Sequence, residues 1–341
     1  MTPRLTKRGL LMLGAMLTLG MAMPGMLRPA HADNLTPFKI AVSTPVSSIL
    51  PVYLAKAGGF YKKQGLDVSI ISTEGGTRGV QVLMSGEIQA MHVGLSPVVA
   101  ANAQGADIRS IASTTNTLPI TIFTTTKMNP PLPKGTIIGI STLGSETDIA
   151  LTIALRAMGL KRSDMNITQI GGTSQRFAAM TVGRIQAAPM LEPGTTAAKQ
   201  KGYTAVYDLS AAKTPWIFDS VVMTSAFLKA HPDEVQHFLK AYVEAAYWGM
   251  ANPDKAKQVI STTFKTKDPA VIDASYNSFK SLMPLDARPS VEGAKNVIKE
   301  LQATGVKLTT TDPNAYLDLG PIDQLKKSGF IAQMQKTYNI H

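Results

Sequence analysis

Apolar and polar positions along the first two thirds of the chain fall into short blocks, and the blocks predict strands and helices in turn. Apolar runs over 38–43, 67–72, 90–95, 108–113, 120–125, 136–141, 167–170, 187–191, 204–209 and 220–224 read as strands. Helices fill the gaps. One has Ser47 or Ser48 as cap, Pro51 in its first turn and Gly58 as its stop. Another has Thr77 as cap, an apolar face of Val80, Leu83 and Met84, and Gly86 as its end. A third opens at Ser96-Pro97 and closes at Gly105. Ser145 and Asp148, at capping-box-like spacing, precede a helix that faces Ile149, Ile153 and Ala157 inward and ends at Gly159. From Ala226 onward the pattern is mostly helical, with starts near Pro232, Pro253, Pro269 and Pro289. Strands and helices that alternate first, with helices alone later, predict an α/β protein with mainly parallel sheets.

One stretch occurs twice. Gly75-Gly76-Thr77-Arg78 runs through Met84 and Gly86 to Ile88-Gln89-Ala90, and Gly171-Gly172-Thr173 runs through Arg176, Met180 and Gly183 to Ile185-Gln186-Ala187. Ser96-Pro97 after the first copy is answered by Glu192-Pro193 after the second. The similarity is either the chance likeness of glycine-rich α/β turns or the trace of two similar lobes. Two such lobes would aim helix N-termini at a shared gap, which is a clamp for a small molecule.

Composition narrows the class. Arg4, Lys7 and Arg8, an uncharged apolar run over 9–23 and Ala30-His31-Ala32 form a secretory signal pattern with cleavage after Ala32. The apolar run is shorter than the roughly 20 residues of a spanning helix. With no cysteine, neither a disulfide framework nor a lipid-bearing N-terminal Cys is possible, which suits an exported protein of a bacterial periplasm. Without the signal, 30 Lys and Arg stand against 23 Asp and Glu, a net charge of +7. The excess is dispersed, so a nucleic-acid surface is not expected.

The residues that carry a resemblance are Lys39-Ile40-Ala41-Val42, Pro51-Val52-Tyr53-Leu54-Ala55, Gly59-Phe60-Tyr61, Gly65-Leu66-Asp67-Val68 and Met84-Ser85-Gly86-Glu87-Ile88-Gln89-Ala90. They are joined by the tail Leu325-Lys326-Lys327-Ser328-Gly329-Phe330. Together they resemble periplasmic substrate-binding proteins of ABC importers. The nearest subgroup is the sulfonate, taurine and nitrate type, akin to the thiamine-pyrimidine precursor proteins. The resemblance implies a two-lobed Venus-flytrap fold with a two-strand hinge and C-terminal helices packing on the first lobe. It divides the chain into a signal peptide (1–32), the first part of lobe one (33–125), lobe two (126–222) and the return to lobe one (223–341). It also implies capture of a small molecule for a permease in the inner membrane without fixing which molecule; a monomer is expected, and the helix starts at the strand ends point to a small anionic organic guest. A periplasmic receptor feeding a membrane signalling protein is the first alternative, and an exported enzyme on the same fold the second.

In such sheets ligands sit beyond the carboxyl ends of the strands, where helix N-termini favour negative charge. The candidate contacts are therefore the hydroxyls of Ser48, Thr77, Ser96, Ser145 and Thr173, each of which is otherwise a plain helix cap. Arg78 and Arg176, near the starts of the two matching helices, could fork onto a carboxylate or sulfonate; the alternative is a solvated surface arginine. Glu192 stands where the first copy has Ser96, to hold a donor on the guest or to pair with a cleft arginine. Trp216 would floor the cleft or pack in the core, and Asn116 is a candidate of the same kind. The chain lacks GxSxG, P-loop, GxGxxG and HExxH patterns, and no acid–base partner accompanies His92 in its strand. The related pyrimidine-forming enzymes depend on a cysteine-rich motif that this chain cannot have. No catalytic residue, metal or cofactor is expected.

Overall fold

The structure, a computed structural model, describes residues 35–340 apart from 126 and 128–131. The signal-peptide reading of 1–32 and the proline pair Pro130-Pro131 lie outside the described residues. The strands are β1 (Thr36–Val42), β2 (Leu66–Ser72), β3 (Ala90–Val93), β4 (Ile108–Thr115), β5 (Thr121–Thr124), β6 (Ile137–Ile140), β7 (Asn166–Gln169), β8 (Ala187–Met190), β9 (Thr204–Asp208) and β10 (Asp219–Thr224). The helices up to β10 are α1 (Leu50–Ala57), α2 (Phe60–Lys63), α3 (Gly76–Met84), α4 (Leu95–Asn102), α5 (Glu146–Ala157), α6 (Thr173–Thr181) and α7 (Gly194–Gln200). After it come α8 (Ser225–Ala230), α9 (Pro232–Ala251), α10 (Pro253–Phe264), α11 (Pro269–Leu282), α12 (Val291–Ala303), α13 (Gly320–Lys327) and α14 (Phe330–Tyr338).

Two five-stranded sheets share one plan. The first has the order β2-β1-β3-β10-β4 and the second β7-β6-β8-β5-β9. In each, three parallel strands are followed by one antiparallel strand that arrives from the other sheet: β10 pairs antiparallel with β3 and β4, and β5 with β8 and β9. The segments 116–120 and 209–218 therefore join the lobes. This corrects the expected boundaries at both crossings. The strand over 120–125 does not end lobe one, because β5 is buried between two partners of the second sheet, and the return is complete by Asp219.

The repeated stretch occupies matching places. Its first copy forms α3 and enters β3, and its second forms α6 and enters β8. The glutamine of each copy grips the neighbouring strand in the same way. Gln89 donates its N–H to Lys39 O at 3.0 Å and its Oε1 accepts from Lys39 N at 2.7 Å. Gln186 makes the same pair with Ile137, at 2.8 and 2.9 Å. The two copies thus perform one structural task in two lobes.

The late helices cover the first sheet. The helix α9 packs on α1 and α2, with α13 and α14 behind it, while α12 lies against α4. Phe38 of β1 stacks on Phe238 of α9 at 5.1 Å between ring centroids, and Tyr61 and Tyr242 stack on the same ring. Fully buried aromatic faces of this size are a principal source of apolar stabilisation. His92, also fully buried, has its Nε2 at 2.8 Å from the Tyr242 hydroxyl.

Candidate functional site

The carboxyl ends of the parallel strands in both sheets face one gap, a narrow cavity of about 40 Å³. From the first lobe, Ser43, Thr44, Gly75, Gly76, Gly94 and Asp219 reach it; from the second, Ser141, Ser145, Glu146, Thr147 and Arg176. Helix starts dominate the lining, as expected where strands end and helices begin.

Three of those helices have glycine caps: Gly75 for α3, Gly94 for α4 and Gly172 for α6. Space explains the choice, since each glycine is where the opposite lobe comes in. A Cβ on Gly75 would fall 2.5 Å from Thr142 Cγ2, one on Gly94 would overlap Glu146 Cγ, and one on Gly172 would overlap Glu74 Oε2 and Thr44 Oγ1. The expected hydroxyl caps are corrected accordingly. Thr77, Ser96 and Thr173 sit one or two residues inside their helices, and Ser48 lies in a 3₁₀ turn capped by Val46. Ser145 does hold the cap position of α5, yet its hydroxyl bonds to Ser141 Oγ at 2.8 Å and Thr147 Oγ1 at 3.0 Å rather than to the helix backbone. Neither α3 nor α5 receives a side-chain cap, so their first-turn N–H groups and partial positive charge are left for the cavity.

Of the ten candidates, Ser145 and Arg176 line the cavity. Arg176 is fully buried: its Nε donates to Pro189 O at 3.1 Å, Nη1 to Gly171 O at 2.5 Å and Nη2 to Thr173 Oγ1 at 3.0 Å. Those bonds engage three of five guanidinium donors. Among the described residues no carboxylate lies within ion-pair distance of it. Burial lowers its pKa to about 10, with the charge of Glu74 pushing the other way, so it remains a cation at neutral pH. Thr173 serves the site by fixing this side chain.

Ser96, Trp216 and Ser48 stand one bond behind the lining. Ser96 N–H and Trp216 Nε1–H each donate to Glu146, both at 2.7 Å, and the Ser48 hydroxyl donates to Asp219 Oδ2. The other four lie away from the cavity. Thr77 donates its hydroxyl to Leu143 O of the other lobe at 2.8 Å, at the rim. Arg78, one residue further round the α3 cylinder, points to solvent. Asn116 ties the first crossing to the start of α12, bonding Arg288 O at 2.9 Å and Ser290 N at 3.2 Å. Glu192 folds onto Thr196, accepting from its N–H at 3.1 Å and its hydroxyl at 2.9 Å, so its carboxylate serves the start of α7. Burial raises its pKa.

Sequence reasoning missed the two acids, Glu146 and Asp219. Nothing in the sequence sets Glu146 apart from an ordinary first-turn acid of a helix. Asp219 carried a signal that went unused: a charge inside the apolar run Trp216-Ile217-Phe218-Asp219-Ser220-Val221 has to be buried and partnered. Both are at least nine-tenths buried. Burial lifts Glu146 from its ordinary value to about 7; the bonds from Trp216 and Ser96 oppose the rise and the charge of Asp219 adds to it. Asp219 Oδ1 lies 3.7 Å from His92 Nδ1. The lining thus holds one buried cation with no ion-pair partner among the described residues, two helix starts without side-chain caps, several hydroxyls and two acids.

Comparison with known proteins places this geometry. The chain is 27% identical over 243 residues to a riboflavin-binding protein of Chloroflexus aurantiacus, covering 67% of each. It is 28% identical over 231 residues to the taurine-binding periplasmic protein of Escherichia coli, covering 66% of this chain and 69% of that one. Among solved structures, the alkanesulfonate-binding protein SsuA of Xanthomonas axonopodis pv. citri, bound to MOPS, superposes with a TM-score of 0.69 over 82% of this chain and 98% of that one, at 16% identity. That likeness shows the periplasmic-binding-protein fold. The family described as NMT1/THI5 like matches residues 46–256, well over half of the sequence, and the chain belongs to it.

Proposed function

We propose that this protein is the solute-binding component of an ABC-type import system, holding a small anionic organic molecule between its lobes and delivering it to a permease in the inner membrane. The observation that carries the reading is Arg176, a buried guanidinium with no carboxylate within ion-pair distance among the described residues, facing a gap between two lobes. A carboxylate or sulfonate would complete it with charge-assisted bonds, and the starts of α3 and α5 would add their N–H groups. Glu146 and Asp219 call for a hydrogen-bond donor at the other end of the guest. Of the sequence candidates, Ser145, Thr173 and Arg176 would serve the anionic end, and Ser96, Trp216 and Ser48 would act through the two acids.

Capture is a population shift. A guest that touches both lobes only when they are together favours the closed arrangement by its differential affinity, with 116–120 and 209–218 as the flexing segments. The taurine- and alkanesulfonate-binding relatives support the anion assignment, and the signal pattern over 1–32 supports export to the periplasm.

A thermal-shift screen of carboxylates, sulfonates, nitrate and amino-sulfonates, with neutral and cationic analogues beside them, tests this. A cognate anion at a hundred times its dissociation constant stabilises the fold by about 2.7 kcal/mol. Stabilisation by neutral or cationic compounds alone would contradict the reading.

A further inference from the structure

Glu146 does more than line the cavity. Helix starts face the gap from both lobes, and at one of them, α4, the anion position is already taken. The Glu146 carboxylate, carried by α5 of the second lobe, crosses the gap and accepts the Ser96 N–H of the first lobe at 2.7 Å through Oε1. Its Oε2 accepts Trp216 Nε1–H at 2.7 Å. The seat is shaped for it, since a side chain on Gly94 would overlap Glu146 Cγ. A carboxylate at a helix start, with a second N–H donor, is what an anionic ligand group would otherwise be.

We propose that Glu146 determines specificity as a charge filter: by filling the α4 anion position from across the gap, it restricts the site to guests with one anionic group and excludes dianions of similar size. The inference rests on the anion reading above. The surrounding charges agree with it. Among the described residues Arg176 of α6 is the single cation lining the cavity, with the Glu74 charge acting on it from outside the lining, while Asp219 of β10 adds a second acid beside Glu146, backed by His92 of β3. A guest anion at Arg176 is balanced; a second one on the same small molecule has to face the two acids. Like charges at a few ångströms in a buried site repel strongly.

Calorimetric titration of matched pairs tests the filter, using ethanesulfonate against 1,2-ethanedisulfonate and butyrate against succinate, at pH 8. Wild type binds the monoanion of a pair at least tenfold tighter than the dianion. Glu146→Gln, which keeps shape and removes charge, lowers that ratio at least tenfold, chiefly by gaining affinity for the dianion. A second readout needs no variant. Burial holds Glu146 near pH 7, so the wild-type ratio for the sulfonate pair rises between pH 6 and 8 as the acid ionises. A merely structural Glu146 would weaken both members equally in the variant and leave the wild-type ratio flat with pH, and either result overturns the proposal while leaving the anion reading intact. Binding of no probe to either protein would overturn the anion reading and this inference with it.

Discussion

The indole N–H of Trp216 donates to the Glu146 carboxylate at 2.7 Å, which ties the segment returning the chain to the first sheet to the first turn of a helix in the second. Both groups are buried, and Glu146 also accepts from Ser96 across the gap. One acid therefore senses three elements, and the lobes cannot separate without breaking its bonds.

That contact gives stability a pH dependence of known sign. Glu146 has its pKa raised by burial from an ordinary value of 4.5 to about 7, so the folded state holds a proton that the unfolded chain releases. Its contribution is fully present below about pH 4.5 and is lost as pH rises through 7. Glu192, also raised by burial, acts in the same direction. Melting temperature should fall between pH 5 and 7.5, and Glu146→Gln should flatten part of that slope. An unchanged slope in the variant would refute the assignment.

Arg176 and Arg78 separate two readings of the same motif. Arg176→Met removes the cavity's unpaired cation and should weaken a bound monoanion by about 10- to 100-fold, the equivalent of roughly 1.5–3 kcal/mol for a charged hydrogen bond. It also strands Pro189 O and Gly171 O, so unfolding in urea should show a loss of about 1–3 kcal/mol. Arg78→Ala touches neither and should leave affinity within about twofold by titration, as expected of a solvated side chain. The opposite ranking would move the anion site to α3.

Gly94→Ala tests the glycine caps. The backbone there, with φ −71° and ψ 165°, is open to any residue, so the first lobe on its own tolerates the methyl group. The collision is with Glu146 of the other lobe. The variant should therefore bind its guest at least tenfold more weakly, with a far smaller effect on the melting temperature of the unliganded protein. X-ray scattering with saturating guest should show a larger radius of gyration than wild type. Wild-type affinity and compaction would mean that the lobes close without this contact.

The sequence showed the fold more fully than the site, for a physical reason. Strand and helix periods and the glycine stops are local signals that predict α/β with mainly parallel sheets; the doubled motif leaves two lobes open as one reading, and the family resemblance implies them. The site depends on which atoms meet across the gap. Residue spacing placed Arg176 near a helix start but could not say that Arg78, in the corresponding stretch, would rotate outward. Glu146 and Trp216 are separated by 70 residues and meet only once the second lobe packs on the returning segment, and Ser48 and Asp219, 171 apart, meet only once the chain has come back to the first sheet. Glu192 looked exceptional because it replaced a serine; in the fold its carboxylate simply serves its own helix.

The central claim is that both lobes grip one guest, and hydrogen exchange read by mass spectrometry tests it most directly. With a stabilising anion from the screen bound, the amides of Gly76 and Thr77 at the start of α3 and those of Glu146 and Thr147 at the start of α5 should gain protection together, and Arg176→Met should abolish both gains. Protection confined to one of the two helix starts, or placed on surfaces away from the gap, would contradict the account.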